Sequence, residues 1–278
     1  ADGTEYELID TNSGGEAKNT TYTVPNCPNF TAQYSRGSVF KTADGSGATF
    51  ISDVAIADNP FLDTDPPEVS GVLLLKDGSR WGFSSGYLVW ARDRNGNKVT
   101  YAYSSSGSSP VLTITDSLNR QVVVTRSVTD GTYGLCDKVT YKGFGGAART
   151  IYITKTNLTN VLRSDQTLKT YSQLFPTLGG GGSFNPTVRS AVYLPNGQSY
   201  TFQYNSYGEL ARVVLPTGGA IEYDWGAGDY STESDGGVVP TSLYLDYGIY
   251  RRVIERRVYA DGSTLEHKEI YERPTEIN

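Results

Sequence analysis

Short runs in which apolar and polar residues alternate, separated by corners rich in Gly, Asn and Asp, cover most of this chain. In Lys98-Val99-Thr100-Tyr101-Ala102-Tyr103 the residues Val99, Tyr101 and Tyr103 share one face, the period-two signature of a half-buried strand. The run follows Asn95-Gly96, a pair that predicts a hairpin in which both central residues adopt positive φ. Asp77-Gly78 ahead of Arg80-Trp81-Gly82-Phe83 is a second corner of this kind. The unit recurs where Val111-Leu112-Thr113-Ile114-Thr115 passes through Leu118-Asn119 into Val122-Val123-Val124. It recurs again at Asn196-Gly197 before Tyr200-Thr201-Phe202-Gln203-Tyr204, and at Thr217-Gly218 before Ile221-Glu222-Tyr223-Asp224-Trp225. Partial copies stand at Ala43-Asp44-Gly45-Ser46, Ala260-Asp261-Gly262-Ser263 and Ala1-Asp2-Gly3-Thr4. The clear copies lie about 20 residues apart, one hairpin each, and a lone hairpin is marginal in water. The pattern therefore predicts an all-β fold of consecutive antiparallel β-hairpins sharing a sheet, a single β-repeat module over residues 1–278.

One region departs from this rhythm. Leu158, Val161, Leu162, Leu168, Tyr171, Leu174 and Phe175 fall at helical spacing and predict a short helical insertion near 157–175. Thr156 or Asn157 is the expected cap and Pro176 the expected stop. With the glycine string Gly179-Gly180-Gly181-Gly182 behind it, the insertion covers about residues 156–186. Residues 58–67, with three prolines and three aspartates, read as a loop.

Composition sharpens the β assignment. Of the aromatic residues 21 are Tyr and only 9 Phe, and Tyr suits a sheet because its ring packs while its hydroxyl stays wet. A formal net charge of −6 excludes a general nucleic-acid binder, since such a surface repels phosphate. No apolar run approaches the roughly 20 residues of a membrane helix, so no membrane insertion is expected. The chain starts at Ala1 and contains no Met, which predicts a processed product or a piece of a longer protein.

The catalytic inventory is thin, and no catalytic residue, metal site or cofactor is predicted. Cys27 and Cys136 allow one disulfide or two buried thiols, and neither has the neighbouring Cys or His that a metal site needs. His267, the single histidine, lies in a charged alternating run and is expected to face solvent. Asp93, Asp116, Glu209, Glu222 and Asp224 are numerous enough for glycosidase chemistry, but their expected place is at hairpin ends, where carboxylates satisfy turn amides. Trp81, Trp90 and Trp225 are the material for a sugar-stacking surface, against the plainer reading that they fill the core. Asn19, Asn29 and Asn157 open glycosylation sequons. Arg251-Arg252 and Arg256-Arg257 read as a solvated, aggregation-resistant edge.

The carriers of a wider likeness are Asp93-Arg94-Asn95-Gly96-Asn97 with Tyr101 and Tyr103, Leu112 to Arg120, and Tyr207-Gly208-Glu209-Leu210 with Leu215 to Gly219. They resemble the YxYDxxGxL hairpins of the RHS/YD-repeat family, which includes rearrangement-hotspot proteins, the shell component of toxin complexes and the teneurin barrel. The likeness covers about residues 70–125 and 190–226. It implies YD-type hairpins winding into a spiralling or curved sheet, of which this chain would be one segment of wall. It also implies a non-catalytic part of a secreted or surface-exposed bacterial protein. Its partners would be neighbouring segments of the same polypeptide or other copies of itself. Asp65-Pro66-Pro67 lacks the glycine of the family's self-cleavage sequence, so cleavage is not expected. The rival reading is an extracellular adhesin or filament subunit that self-associates or binds glycans through Trp81, Trp90 and Trp225.

Overall fold

The structure, a computed structural model, describes residues 7–15, 20–24, 27–32, 35–57, 69–175, 181–227 and 251–271. The 1–4 corner and the 58–67 loop lie outside them, as does the side chain of Cys27. The fold is all-β, and consecutive strands pair antiparallel. It gathers into two compact units, residues 1–123 and 124–278.

The first unit holds β1 (Leu8–Asp10), β2 (Thr20–Val24), β3 (Cys27–Ala32), β4 (Ser35–Thr42) and β5 (Thr49–Ala57). There follow β6 (Gly71–Leu74), β7 (Arg80–Ser84), β8 (Tyr87–Arg92), β9 (Lys98–Ser106) and β10 (Ser109–Thr115). β2 and β3 form a separate ribbon, while β1 pairs with β4 and each strand from β4 to β10 pairs with the next. Phe40, Phe50 and Leu73 stand opposite one another across β4, β5 and β6, which puts them on one face. Ala48, Phe50 and Leu73 are buried there, with Leu8, Val69, Leu75 and Phe83 packed around them. The Phe50 ring meets Phe40 at 6.4 Å and the edge of Phe83 at 6.2 Å.

β11 (Gln121–Asp130) carries the boundary between the units. The second unit continues with β12 (Gly134–Lys142), β13 (Ala148–Asn157), β14 (Thr187–Tyr193), β15 (Ser199–Tyr204) and β16 (Leu210–Val214). It ends with β17 (Ala220–Ala227), β18 (Arg251–Tyr259) and β19 (Leu265–Ile270), each strand paired with its successor.

One corner design serves both units. At 75–79, 93–97, 116–120, 143–147, 194–198, 205–209 and 215–219, the first residue's carbonyl accepts from the fourth amide, and its own amide donates to the fifth carbonyl. The fourth residue is left-handed in each, for example Gly96 at φ +95° and Asn119 at +60°. This is the three-residue hairpin loop, not the expected two-residue one, and Asn95 and Asn196 do not take positive φ. At 93–97 the loop is reinforced by Asp93, whose Oδ1 accepts the amides of Asn95 at 2.8 Å and Asn97 at 2.9 Å. Asp116 and Asn205 cap their corners in the same way. The doubly positive turn appears elsewhere, at Ser85-Gly86 with φ of +47° and +77°.

The helical insertion is present as two separate turns. A 3₁₀ turn spans Leu158–Asn160, and α1 (Tyr171–Leu174) follows. Asn157 starts the first without a side-chain cap, whereas Thr170 caps the second in a reciprocal capping box with Gln173. Leu158 and Leu174 are the buried anchors, and the stretch between them lays Leu162 beside Tyr204 of β15.

Candidate functional site

In the second unit a network of opposite charges occupies β16 to β19. The strand register sets Arg212 opposite Glu222, Glu222 opposite Arg257, and Arg257 opposite Lys268. The first two facing pairs attract directly, whereas Arg257 and Lys268 repel and are bridged by Glu255, which pairs with both. Arg257 grips Asp224 with both terminal nitrogens, at 2.6 and 3.0 Å, reaches Glu222 at 3.1 Å and also pairs with Glu255. Arg212 pairs with Glu222, and Lys268 reaches Glu255 at 2.8 Å.

Arg163, delivered by the insertion and 9% exposed, ties this lattice to the loop. Its guanidinium meets Asp165 at 2.7 and 2.9 Å and Asp224 at 2.6 Å, and donates to the carbonyls of Tyr223 and Ala211. Hydrogen bonding by Arg163 holds Asp165 down to about 2. Burial pushes Glu222 and Asp224 up, but the arginine hydrogen bonds outweigh it and both titrate below their ordinary values. The hydrogen bond to Asp165, opposed by burial, raises Arg163 further above its ordinary range.

Beside the lattice lies a cleft of about 330 Å³ bordered by Arg163, Asp165, Lys169, Tyr223, Trp225 and Arg251 among others. A bulge between Asp224 and Trp225 breaks the in-out alternation of β17, so residues 223, 224 and 225 all border it. The Trp225 Nε1 donates to the Leu210 carbonyl at 2.8 Å, fixing the indole. Arg251 lies over the Tyr207 ring at 3.9 Å, with its Nε 3.0 Å from both oxygens of Glu209.

Several expectations change against this geometry. Asp93 and Asp116 do sit in corners, but Glu222 and Asp224 lie mid-strand in the ionic lattice: Glu222 faces Arg212 and Arg257, while Asp224, which faces Glu255, is held by Arg163 and by the diagonal Arg257. Arg251, Arg256 and Arg257 are not a solvated edge: β18 has β17 on one side and β19 on the other, and all three are ion-paired. His267 is exposed, 3.2 Å from Glu269. Cys136 is wholly buried on β12 opposite Thr154; the pairing with Cys27 falls outside the described residues. Trp81 is 36% exposed, while Trp90 covers Gly82 on the opposite face of the same strand pair. The two indoles thus present no common surface, whereas Trp225 borders the cleft. Among the described residues no group of three or more His, Cys, Asp or Glu could hold a metal, and no helix is long and apolar enough to cross a membrane.

Sequence reasoning missed two things. The first is Arg163, whose partners on β17, Tyr223 and Asp224, are about 60 residues away. The second is a clasp that recurs in three hairpins. Tyr103 donates to the Leu88 carbonyl at 3.0 Å, Tyr204 to Arg189 at 2.7 Å and Trp225 to Leu210, always 15 residues back. Each aromatic stands seven residues after its corner glycine, Gly96, Gly197 or Gly218, a spacing that could have revealed the device.

No family model matches the chain, and no curated protein matches it.

Proposed function

We propose that this chain is a non-catalytic segment of wall or scaffold in a secreted or surface-exposed bacterial protein of the RHS/YD-repeat kind. The observation that carries the reading is the repeated corner, in which the recurring Asp or Asn spends its side chain on turn amides. Residues that look like a supply of catalytic acids are thereby occupied in making hairpins. Glu222 and Asp224 support the reading too, because both are held ionised by arginines, whereas glycoside cleavage requires one carboxyl kept protonated. The test is a panel of chromogenic glycosides, esters and peptides offered to the purified chain, alongside digestion by a broad protease. No turnover and a core resistant to cleavage are expected. Turnover that disappears in Glu222→Gln or Asp224→Asn would overturn the reading.

A second reading, an adhesin or filament subunit, is favoured by the exposed pair Tyr87 and Tyr103, 59% and 49% exposed with ring centres 5.2 Å apart. Aromatic faces open to water are the usual platform for sugars or for another protein surface. Light scattering over a dilution series and a glycan array distinguish the two. A monomer at every concentration with no glycan signal removes the adhesin.

A further inference from the structure

We propose that the cleft of the second unit binds an acidic sugar residue, its carboxylate held by Lys169 and Arg251 and its ring set against Trp225. The argument starts from which hydrogen-bonding groups are already used. Asp224 accepts three bonds from Arg163 and Arg257. Asp165 accepts two from Arg163 and one from Gln166, and the Gln166 carbonyl oxygen accepts from Ser206. The carboxylates bordering the cleft are therefore largely engaged by their neighbours, with three bonds each.

The donors are not. Lys169 Nζ and Arg251 Nη1 have no partner among the described residues, and both residues border the cleft. Arg251 is already anchored, since its Nε is held by Glu209, its Nη2 by the Trp225 carbonyl at 3.0 Å, and its plane by Tyr207. The remaining nitrogen is thus aimed before any ligand arrives, which lowers the entropic cost of binding. Glu209 balances the charge of Arg251, so Arg251 supplies direction and Lys169 supplies the uncompensated charge. A ligand that fits must bring acceptors with negative charge, which a carboxylate does.

The rest of the cleft selects what carries that carboxylate. At about 330 Å³ it is larger than a bare carboxylate needs and near the lower end for small-ligand sites. Its wall of amide, hydroxyl and charged groups around one pinned indole matches a ring bearing hydroxyls, with the indole beneath the ring's apolar face.

Isothermal titration of the whole chain with glucuronate, glucose and acetate tests this. Glucuronate is expected to bind at least about tenfold more tightly than either control, and to weaken by about tenfold in Lys169→Ala. Lys169 is exposed and takes no part in the lattice, so an unchanged melting temperature in that variant separates loss of the site from loss of the fold. Arg251→Lys, which keeps the charge and loses the fork, is expected to weaken glucuronate as well. Three results would overturn the proposal: no saturable glucuronate signal, equal affinity for acetate and glucuronate, or unchanged affinity in both variants. None of these bears on the scaffold reading, which stands or falls on turnover.

Discussion

The Phe50 cluster of the first unit and the Arg163–Asp224–Arg257 lattice of the second solve the same problem with opposite materials. Both fill the space over one face of a run of antiparallel strands. Around Phe50 the neighbours are Phe40, Leu73 and Phe83, whose contacts are non-directional and tolerate small shifts. Around Asp224 the neighbours are guanidinium groups, whose bonds have fixed directions and lose much of their value if one partner is missing. An apolar cluster degrades gradually. A desolvated ionic lattice fails when a single charge is orphaned.

That contrast can be broken most sharply at Arg163. Replacing it by Met leaves Asp224 with Arg257 alone and the half-exposed Asp165 without its chief partner, which should cost about 3 kcal/mol, the low end for breaking a buried pair. Urea unfolding followed by hydrogen exchange on β17 should show the loss in the second unit. A loss below about 1 kcal/mol would mean that the lattice is in effect a surface feature.

Phe50→Ala should cost about 3 kcal/mol through the cavity it leaves, read from exchange on β5 and β6. The comparison predicts that its loss is insensitive to salt, while that of Arg163→Met shrinks in concentrated salt.

Acid gives the next largest effect. The folded-state values of Asp165, Glu222 and Asp224 are lowered, so their stabilisation is complete above the unfolded values near 4 and drains away as pH falls through the lowered ones. Exchange protection of β17 and β18 should therefore drop between about pH 4.5 and 2. β5 and β6 should change less, since the Phe50 cluster holds no titratable side chain. Equal loss in both regions would contradict the proposed division of materials.

The smallest effect belongs to the corners. Asp93→Ala removes the cap on two amides and should lower the thermal midpoint slightly. Asp93→Asn should recover most of it, because Asn205 performs the same task in its own corner.

Much of the fold was legible because the period-two pattern and the corner glycines are local signals. The positions of Gly78, Gly96, Gly197 and Gly218 located four hairpins correctly. The loop length was misread because an Asn-Gly pair suits both loop lengths, and at 93–97 and 194–198 only the glycine takes positive φ. In the insertion, the spacing of Leu158 and Leu174 gave the buried side but not the break between its two turns. The ionic lattice was illegible for a different reason. Glu222 and Asp224 read as hairpin-end residues until the register of β16 to β18 sets Arg212 and Arg257 against Glu222 and puts Arg257 diagonal to Asp224. Arg163 arrives from a loop, where no periodicity marks it.

The clasp seven residues beyond the corner glycine works as a ruler. At about 3.3 Å per residue it fixes the distance from corner to clasp at roughly 23 Å in each hairpin that carries it. Inserting or deleting one residue inside that span would send the aromatic ring to the wrong face of its strand and open the clasp. Adding or removing a whole hairpin would leave every such distance intact. A sheet measured out in this way can change its length in units while holding its width constant.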